Sequence, residues 1–207
     1  MKQSSSPDHI AVALTGASGA IYGIRLIQQL LHCGHRVSFL VSSAGRQVMA
    51  LEQGLLWSED LTQFQQQARE FFNDEQQNLF CYGEQDFTAP LASGSSAADA
   101  MVVVPSSMGT VARIATGISG NLIERVADVM LKERRPLIIV PRETPFNTIH
   151  LQNLLTLSQT GAIILPAMPA FYSQPQTMDE LINFVVGKIF DSLDLPHQLF
   201  TRWGEKE

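Results

Sequence analysis

Six of the fourteen Lys and Arg residues fall between Arg113 and Arg142: Arg113, Arg125, Lys132, Arg134, Arg135 and Arg142. The last four surround the apolar run Leu137-Ile138-Ile139-Val140, which reads as a buried strand. A chain of net charge −6 has no general need for cations, so this cluster suggests a local anion site. Ligands of α/β sheets bind at strand ends, and the cluster points to phosphorylated small molecules. Arg142-Glu143 follows that strand directly, between Pro141 and Thr144-Pro145. A charged pair held between prolines is stiff and well placed for chemistry.

Two further groups could hold an anion. Thr15-Gly16-Ala17-Ser18-Gly19 closes the first apolar run and opens a helix, where glycines allow a tight turn and N-terminal N–H groups attract phosphate. Ser106-Ser107-Met108-Gly109-Thr110 offers hydroxyls and amides at another strand end, and by itself reads equally as a turn and helix cap. The first turn is not G-x-G-x-x-G, and the second strand ends in Ser42-Ser43 where a dinucleotide site favours an acid for the ribose. That disfavours NAD and leaves a mononucleotide such as FMN as the better fit. In a parallel sheet these three strand ends share one rim. His150 reads as a helix residue, and no His, Cys and carboxylate residues fall at metal-ligand spacing.

Stepping along the chain gives the elements that must carry these groups. Ile10 to Leu14, Val37 to Val41, Phe80 to Tyr82, Met101 to Val104, Leu137 to Val140 and Ala162 to Leu165 read as strands. Helical spacing runs from Ile21 to about Cys33, from Arg46 to Gly54, from Asn121 to about Arg134, from Asn147 to Gln159 and from Met178 to about Leu193. Arg125, Asp128 and Lys132 share one helix face at i, i+3 and i+7. The Gln- and Glu-rich stretch from Trp57 to Asn78 reads as an exposed helix and a loop. The expected fold is α/β, a single-domain Rossmann-like (flavodoxin-like) parallel sheet of five or six strands with helices on both faces.

The totals exclude several classes. At 207 residues, 45% hydrophobic and 16% charged, the chain is large enough for one core and poor enough in charge to favour burial in an oligomer. An acidic balance argues against nucleic acid. Cys33 and Cys81 form no C-x-x-C pair, which fits a reducing compartment. Residues 1–9 are polar and Ser-rich with no signal-peptide core, and no apolar run is long enough to span a bilayer. The expected organisation is a flexible segment 1–9, a domain 10–203 and a tail 204–207, in the cytoplasm with no membrane attachment.

These residues carry a family resemblance. Thr15-Gly16-Ala17-Ser18-Gly19-Ala20, Ala92-Ser93-Gly94-Ser95, Pro105-x-Ser107-Met108-Gly109-Thr110, Asn121-Leu122-Ile123-Glu124-Arg125, Leu131 to Leu137, Pro141 to Pro145 and Pro169-Ala170-Phe171-Tyr172 resemble the UbiX-type flavin prenyltransferases from about Ile10 to Trp203. One departure is Ser106, where that family commonly has Cys. The resemblance implies a homo-oligomeric flavoprotein, typically a dodecamer, with active sites shared between subunits. It implies a metal-independent transferase that joins the dimethylallyl group of dimethylallyl phosphate to N5 and C6 of reduced FMN. The prenylated FMN would serve UbiD-type decarboxylases, including that of ubiquinone biosynthesis.

By resemblance, Gly16, Ala17, Ser18, Ser42, Ser107, Met108, Gly109, Thr110 and Arg142 match FMN-binding positions. Arg125, Lys132, Tyr172 and Lys188 would hold the dimethylallyl phosphate, with Ser93 as a further contact. Glu143 would transfer protons, and Ser18 with Glu52 would relay them near flavin N5. Phe87 and Trp203 would add apolar or aromatic walls. Without a metal, side-chain cations must meet the charge of the leaving phosphate. Two other readings remain open: an FMN-dependent decarboxylase of the related cysteine decarboxylase group, and a non-catalytic flavin carrier. The first expects P-x-M-N-x-x-M-W, where this chain has Pro145-Phe146-Asn147-Thr148-Ile149-His150-Leu151.

Overall fold

A computed structural model describes residues 6–204. Six strands alternate with helices: β1 (His9–Leu14), α1 (Ala20–His32), β2 (Arg36–Val41), α2 (Ser43–Gln53), α3 (Leu61–Phe72), β3 (Leu79–Tyr82), β4 (Ala100–Ser106), α4 (Met108–Ala115), α5 (Leu122–Glu133), β5 (Leu137–Pro141), α6 (Thr148–Gln159), β6 (Ile163–Ile164) and α7 (Met178–Ser192). A short 3₁₀ turn, Pro90–Ala92, precedes β4. All strand pairs are parallel, in the order β3-β2-β1-β4-β5-β6. The order reverses between β1 and β4, so their C-terminal ends open the crevice that such sheets use for ligands. The expected boundaries at residues 1–5 and 205–207 lie outside the described residues, and β1 takes in His9.

The two faces of the sheet come straight from strand alternation. Ile10, Val12 and Leu14 of β1 point to a layer built from α1, α2, α3 and α7, with Phe39, Met49, Phe64 and Phe190 in its centre. Ala11 and Ala13 point the other way, with Met101 and Val103, to α4, α5 and α6. Burying side chains of this kind contributes about 1.5–3 kcal/mol each, which makes the two apolar layers the main source of stability. Among the described residues no helix is long and apolar enough to cross a membrane.

Two sequence expectations need correction. The Gln-rich stretch is not a merely exposed helix: α3 buries Phe64, Ala68 and Phe72, four residues apart, against the β2–β3 edge. Phe39, Trp57, Phe64, Phe71 and Phe72 form one aromatic cluster there, with ring centroids 4.9 to 6.2 Å apart. The glutamines mask a stripe that only three apolar positions define. Likewise, residues 108–115 form a full helix, α4, where the sequence showed only a cap.

Close approach explains one interior helical glycine. A Cβ on Gly23 would lie 2.6 Å from the Val104 carbonyl oxygen and 2.7 Å from Leu14 Cδ1, so α1 rests on the backbone of β4. Gly23→Ala should therefore lower stability by about 1–3 kcal/mol, because backbone cannot move aside as a side chain can. Urea unfolding that leaves the midpoint of this variant unchanged would contradict the packing.

Candidate active site

The crevice is built from the loops that follow β1, β2, β4 and β5. Thr15 is buried and ties the first to the third: its Oγ1 donates to the Pro105 carbonyl at 2.9 Å and accepts from Ser107 N–H at 2.7 Å. Ser42 caps α2 by accepting from Gly45 N–H at 3.0 Å, and Ser107 caps α4 by accepting from Thr110 N–H at 3.3 Å. A capping hydroxyl keeps its own proton to donate, and Ser107 Oγ also pairs with Thr110 Oγ1 at 3.1 Å. Gly16 is explained without a ligand, since a Cβ there would meet Ala44 Cβ at 2.5 Å.

The first helix N-terminus departs from expectation. The amides read as a phosphate cradle donate instead to Glu52, from Gly19 at 2.9 Å and Ala20 at 3.0 Å. A carboxylate from the end of α2 thus fills the anion position of α1. Partial desolvation pushes the Glu52 pKa up, but hydrogen bonds from Ser18, Gly19 and Ala20 and the nearby Arg142 charge outweigh it, leaving it below the ordinary value. Arg142 Nε donates to the Ser18 carbonyl at 3.0 Å. Ser18, Glu52 and Arg142 are therefore brought together. Glu143 is exposed beside them and accepts from Thr144 N–H at 3.0 Å.

The six-cation cluster does not converge on one anion. Arg113 pairs with Glu124, a carboxylate only 1% exposed that also accepts from Gly120 N–H and Asn121 Nδ2. Arg135 binds the carbonyls of Ala97 and Ala98, and Arg134 ends α5 in the left-handed conformation. Buried carbonyls and a buried carboxylate need donors, and these arginines supply them. Arg125 binds the Ala92 carbonyl and Asp128, while Lys132 pairs with Glu133 against Gly94. Ser93 lies in this loop with its hydroxyl 3.0 Å from Ser95. His150 completes a capping box at the start of α6.

Arg125 and Lys132 stand on α5, on one face of the sheet. Lys188 stands on α7, on the other, and Tyr172 packs against Phe184 of that helix and against Trp203. Phe87 is 45% and Trp203 80% exposed. The four residues that the resemblance assigns to the donor are thus split between the two faces of the sheet. The sequence reading missed Thr15 as a clamp, and missed Glu84, which accepts from both Ser43 N–H and Ser43 Oγ, at 2.9 and 2.8 Å. The acid looked for at the end of β2 arrives there from the end of β3. A Glu just past a strand end was the only available signal.

A doubly wound sheet with capped strand ends around its switch point is the architecture of a flavin- or nucleotide-binding protein, and a family model described as Flavoprotein matches residues 1–190. The flavin prenyltransferase UbiX of Halalkalibacterium halodurans is 52% identical over 203 residues, 94% of this chain and 93% of that protein. The crystal structure of AnUbiX in complex with FMN and dimethylallyl pyrophosphate is 37% identical with a TM-score of 0.85, covering 97% of this chain and all of that one. A dodecameric FMN-dependent UbiX-like decarboxylase from Escherichia coli O157:H7 is 35% identical with a TM-score of 0.84, over 95% of this chain and 100% of that one. The chain belongs to the UbiX flavin prenyltransferase family.

Two outcomes follow from the rim. Glu52→Gln should cost about 1 kcal/mol at neutral pH by weakening a helix cap. Because the folded carboxyl titrates below 4.5, its contribution is full above that pH and fades as pH falls through the lower folded value. The gap between wild type and variant should close in acid, and a gap independent of pH would refute the charge. Separately, Ser106 Oγ is, among the described residues, a buried hydroxyl with no partner. Ser106→Ala should raise the denaturant midpoint by about 1 kcal/mol of stability, and a loss would show that the hydroxyl is satisfied.

Proposed function

We propose that this chain transfers the dimethylallyl group of dimethylallyl phosphate to reduced FMN, with residues 10–203 as the catalytic domain. The observation that carries the reading is the grouping of Ser18, Glu52 and Arg142 with the Ser42 and Ser107 caps around the β1–β4 crevice. These residues fit a flavin mononucleotide: hydroxyl and amide donors suit its single phosphate, and Arg142 suits an electron-rich ring. Reduced FMN supplies nucleophilic N5 and C6 atoms when bound. With FMN as the acceptor, the allylic carbon–oxygen bond would break and inorganic phosphate would leave as N5 exchanges its proton for the allyl carbon; the remaining double bond would then take up a proton at one carbon while C6 bonds the other and gives up its own proton.

The chain's own groups divide the remaining work. Arg125 and Lys132, with Tyr172 and Lys188, meet the charge that builds on the phosphate as it departs. Their placement on opposite faces of the sheet fits a site completed by a second copy. Leu51, Leu56, Met178 and Phe171 are each more than 70% exposed, which supports burial in a homo-oligomer such as the dodecamer of the Escherichia coli relative. Glu143 moves protons, first to the leaving phosphate and then from C6, while Ser18 and Glu52 relay a proton at N5. Trp203 and Phe87 shield the allyl fragment from water. The prenylated flavin then passes to a UbiD-type decarboxylase in the cytoplasm.

Anaerobic mixing of the protein, reduced FMN and dimethylallyl phosphate should release phosphate and add one prenyl unit to the flavin mass. Unaltered FMN would sink the reading in favour of a carrier. AnUbiX was solved with the pyrophosphate, so both donors belong in the assay, and the monophosphate should turn over faster because no metal site exists among the described residues to hold a second phosphate. Glu143→Gln should keep FMN bound and slow product formation by about 10²-fold or more. Normal turnover by that variant would remove Glu143 from the mechanism.

A further inference from the structure

Thr15 is 1% exposed, too deep for a ligand to touch, yet its hydrogen bonds all end on the turn after β4. Its N–H donates to the Pro105 carbonyl at 3.2 Å, and its Oγ1 donates to the same oxygen at 2.9 Å. With its proton committed there, the hydroxyl meets Ser107 N–H, at 2.7 Å, as an acceptor. The backbone bond does not depend on the side chain at this position. The other two require a hydroxyl, and a valine of similar shape would lose both.

Ser107 opens the turn that these bonds hold. It is the N-cap of α4, with its Oγ accepting from Thr110 N–H at 3.3 Å and lying 3.1 Å from Thr110 Oγ1. The turns after β1 and β2 carry carboxylates instead: Glu52 on Gly19 and Ala20, and Glu84 on Ser43. Those acids repel an anion, so of these three turns the one at Ser107 suits a phosphate best. The amide of an N-cap residue is one of the free donors at a helix start. Thr15 engages that amide, so it removes one donor from the turn while fixing where the turn sits.

We propose that Thr15 is a positioning residue for the phosphate of FMN, holding the β4 turn against the β1 turn so that the site prefers FMN over riboflavin. This rests on the reading of the Ser107 cap as part of the flavin phosphate site given above. Donors held in place by a buried partner bind an anion without first having to be ordered. The sign of a substitution separates positioning from the supply of donors. Freeing the Ser107 amide would, by donor count alone, strengthen phosphate binding. Loosening the turn weakens it.

The test titrates the full-length protein, freed of flavin, with oxidised FMN and separately with riboflavin, and follows flavin fluorescence. Conditions are chosen so that circular dichroism shows every variant fully folded. Wild type should bind FMN more tightly than riboflavin. Thr15→Val should weaken FMN about tenfold and leave riboflavin within about twofold, and Thr15→Ser should restore the preference. A role in overall stability alone would not move the FMN-to-riboflavin ratio of folded protein. A ratio that stays the same or rises in Thr15→Val overturns the proposal, as does a loss that Thr15→Ser shares in full. Should Thr15→Val fail to fold, Thr15→Cys, whose thiol bonds weakly, must lower the ratio, and an unchanged ratio overturns it. Wild type that binds the two flavins equally refutes the phosphate reading of the Ser107 turn, and the proposal with it; wild type that binds neither refutes the flavin site as well.

Discussion

One buried hydroxyl sets the geometry of the crevice. Thr15 stands where the strand order reverses, and its side chain both donates to the β4 end and accepts from the amide that begins α4. Past the end of β1 the Thr15 N–H also reaches the Pro105 carbonyl, at 3.2 Å, so backbone and side chain of one residue together hold the β1 and β4 loops. A hydroxyl at this point can both donate and accept, and Thr15 does both. The Ser107 cap, the Arg142 turn that bonds to Ser106, and the Gly16–Gly19 turn are all referred to this anchor.

Around that anchor, acids control where cations and anions can lie. Glu52 fills the N-terminus of α1, Glu84 engages the first residue of α2, and Glu124 neutralises Arg113 inside the protein. Each carboxylate satisfies amide or guanidinium donors that would otherwise need water or a ligand. The consequence for binding is selective. Carboxylates occupy the turns after β1 and β2, where they repel an anion, whereas the turn after β4 is capped by the Ser107 hydroxyl. A chain poor in charge overall thus concentrates its charged groups where they direct ligand placement.

The sheet also divides the residues proposed to bind the donor. Arg125 and Lys132 belong to the α4–α6 layer, and Tyr172 and Lys188 to the layer of α1 and α7. Side chains rooted on opposite faces of a full sheet cannot meet through it. Membership in the UbiX family and large exposed apolar side chains together make assembly of several copies the natural way to unite them.

Much of the architecture was legible from local pattern. Alternation in Ile10 to Leu14, the β-rich runs and the Ser and Asn caps depend on neighbours within a few residues, and they gave every described helix but α4 and all six strands. The motif-bearing turns carried enough chemistry to indicate a flavin mononucleotide and the family. The α3 stripe was hidden because its glutamines outnumber three buried positions. Which cations face a ligand was not readable at all, because Arg113 and Arg135 are claimed by partners that the fold delivers from distant segments. Glu52 reaches Gly19, and Asp191 gathers Lys188 and Arg202, for the same reason: charge pairing is decided by where elements dock, and docking is set by the whole core. Sequence by itself determined the periodic elements and the class of ligand; the tertiary structure alone decided which charges cancel inside the protein and which remain to act.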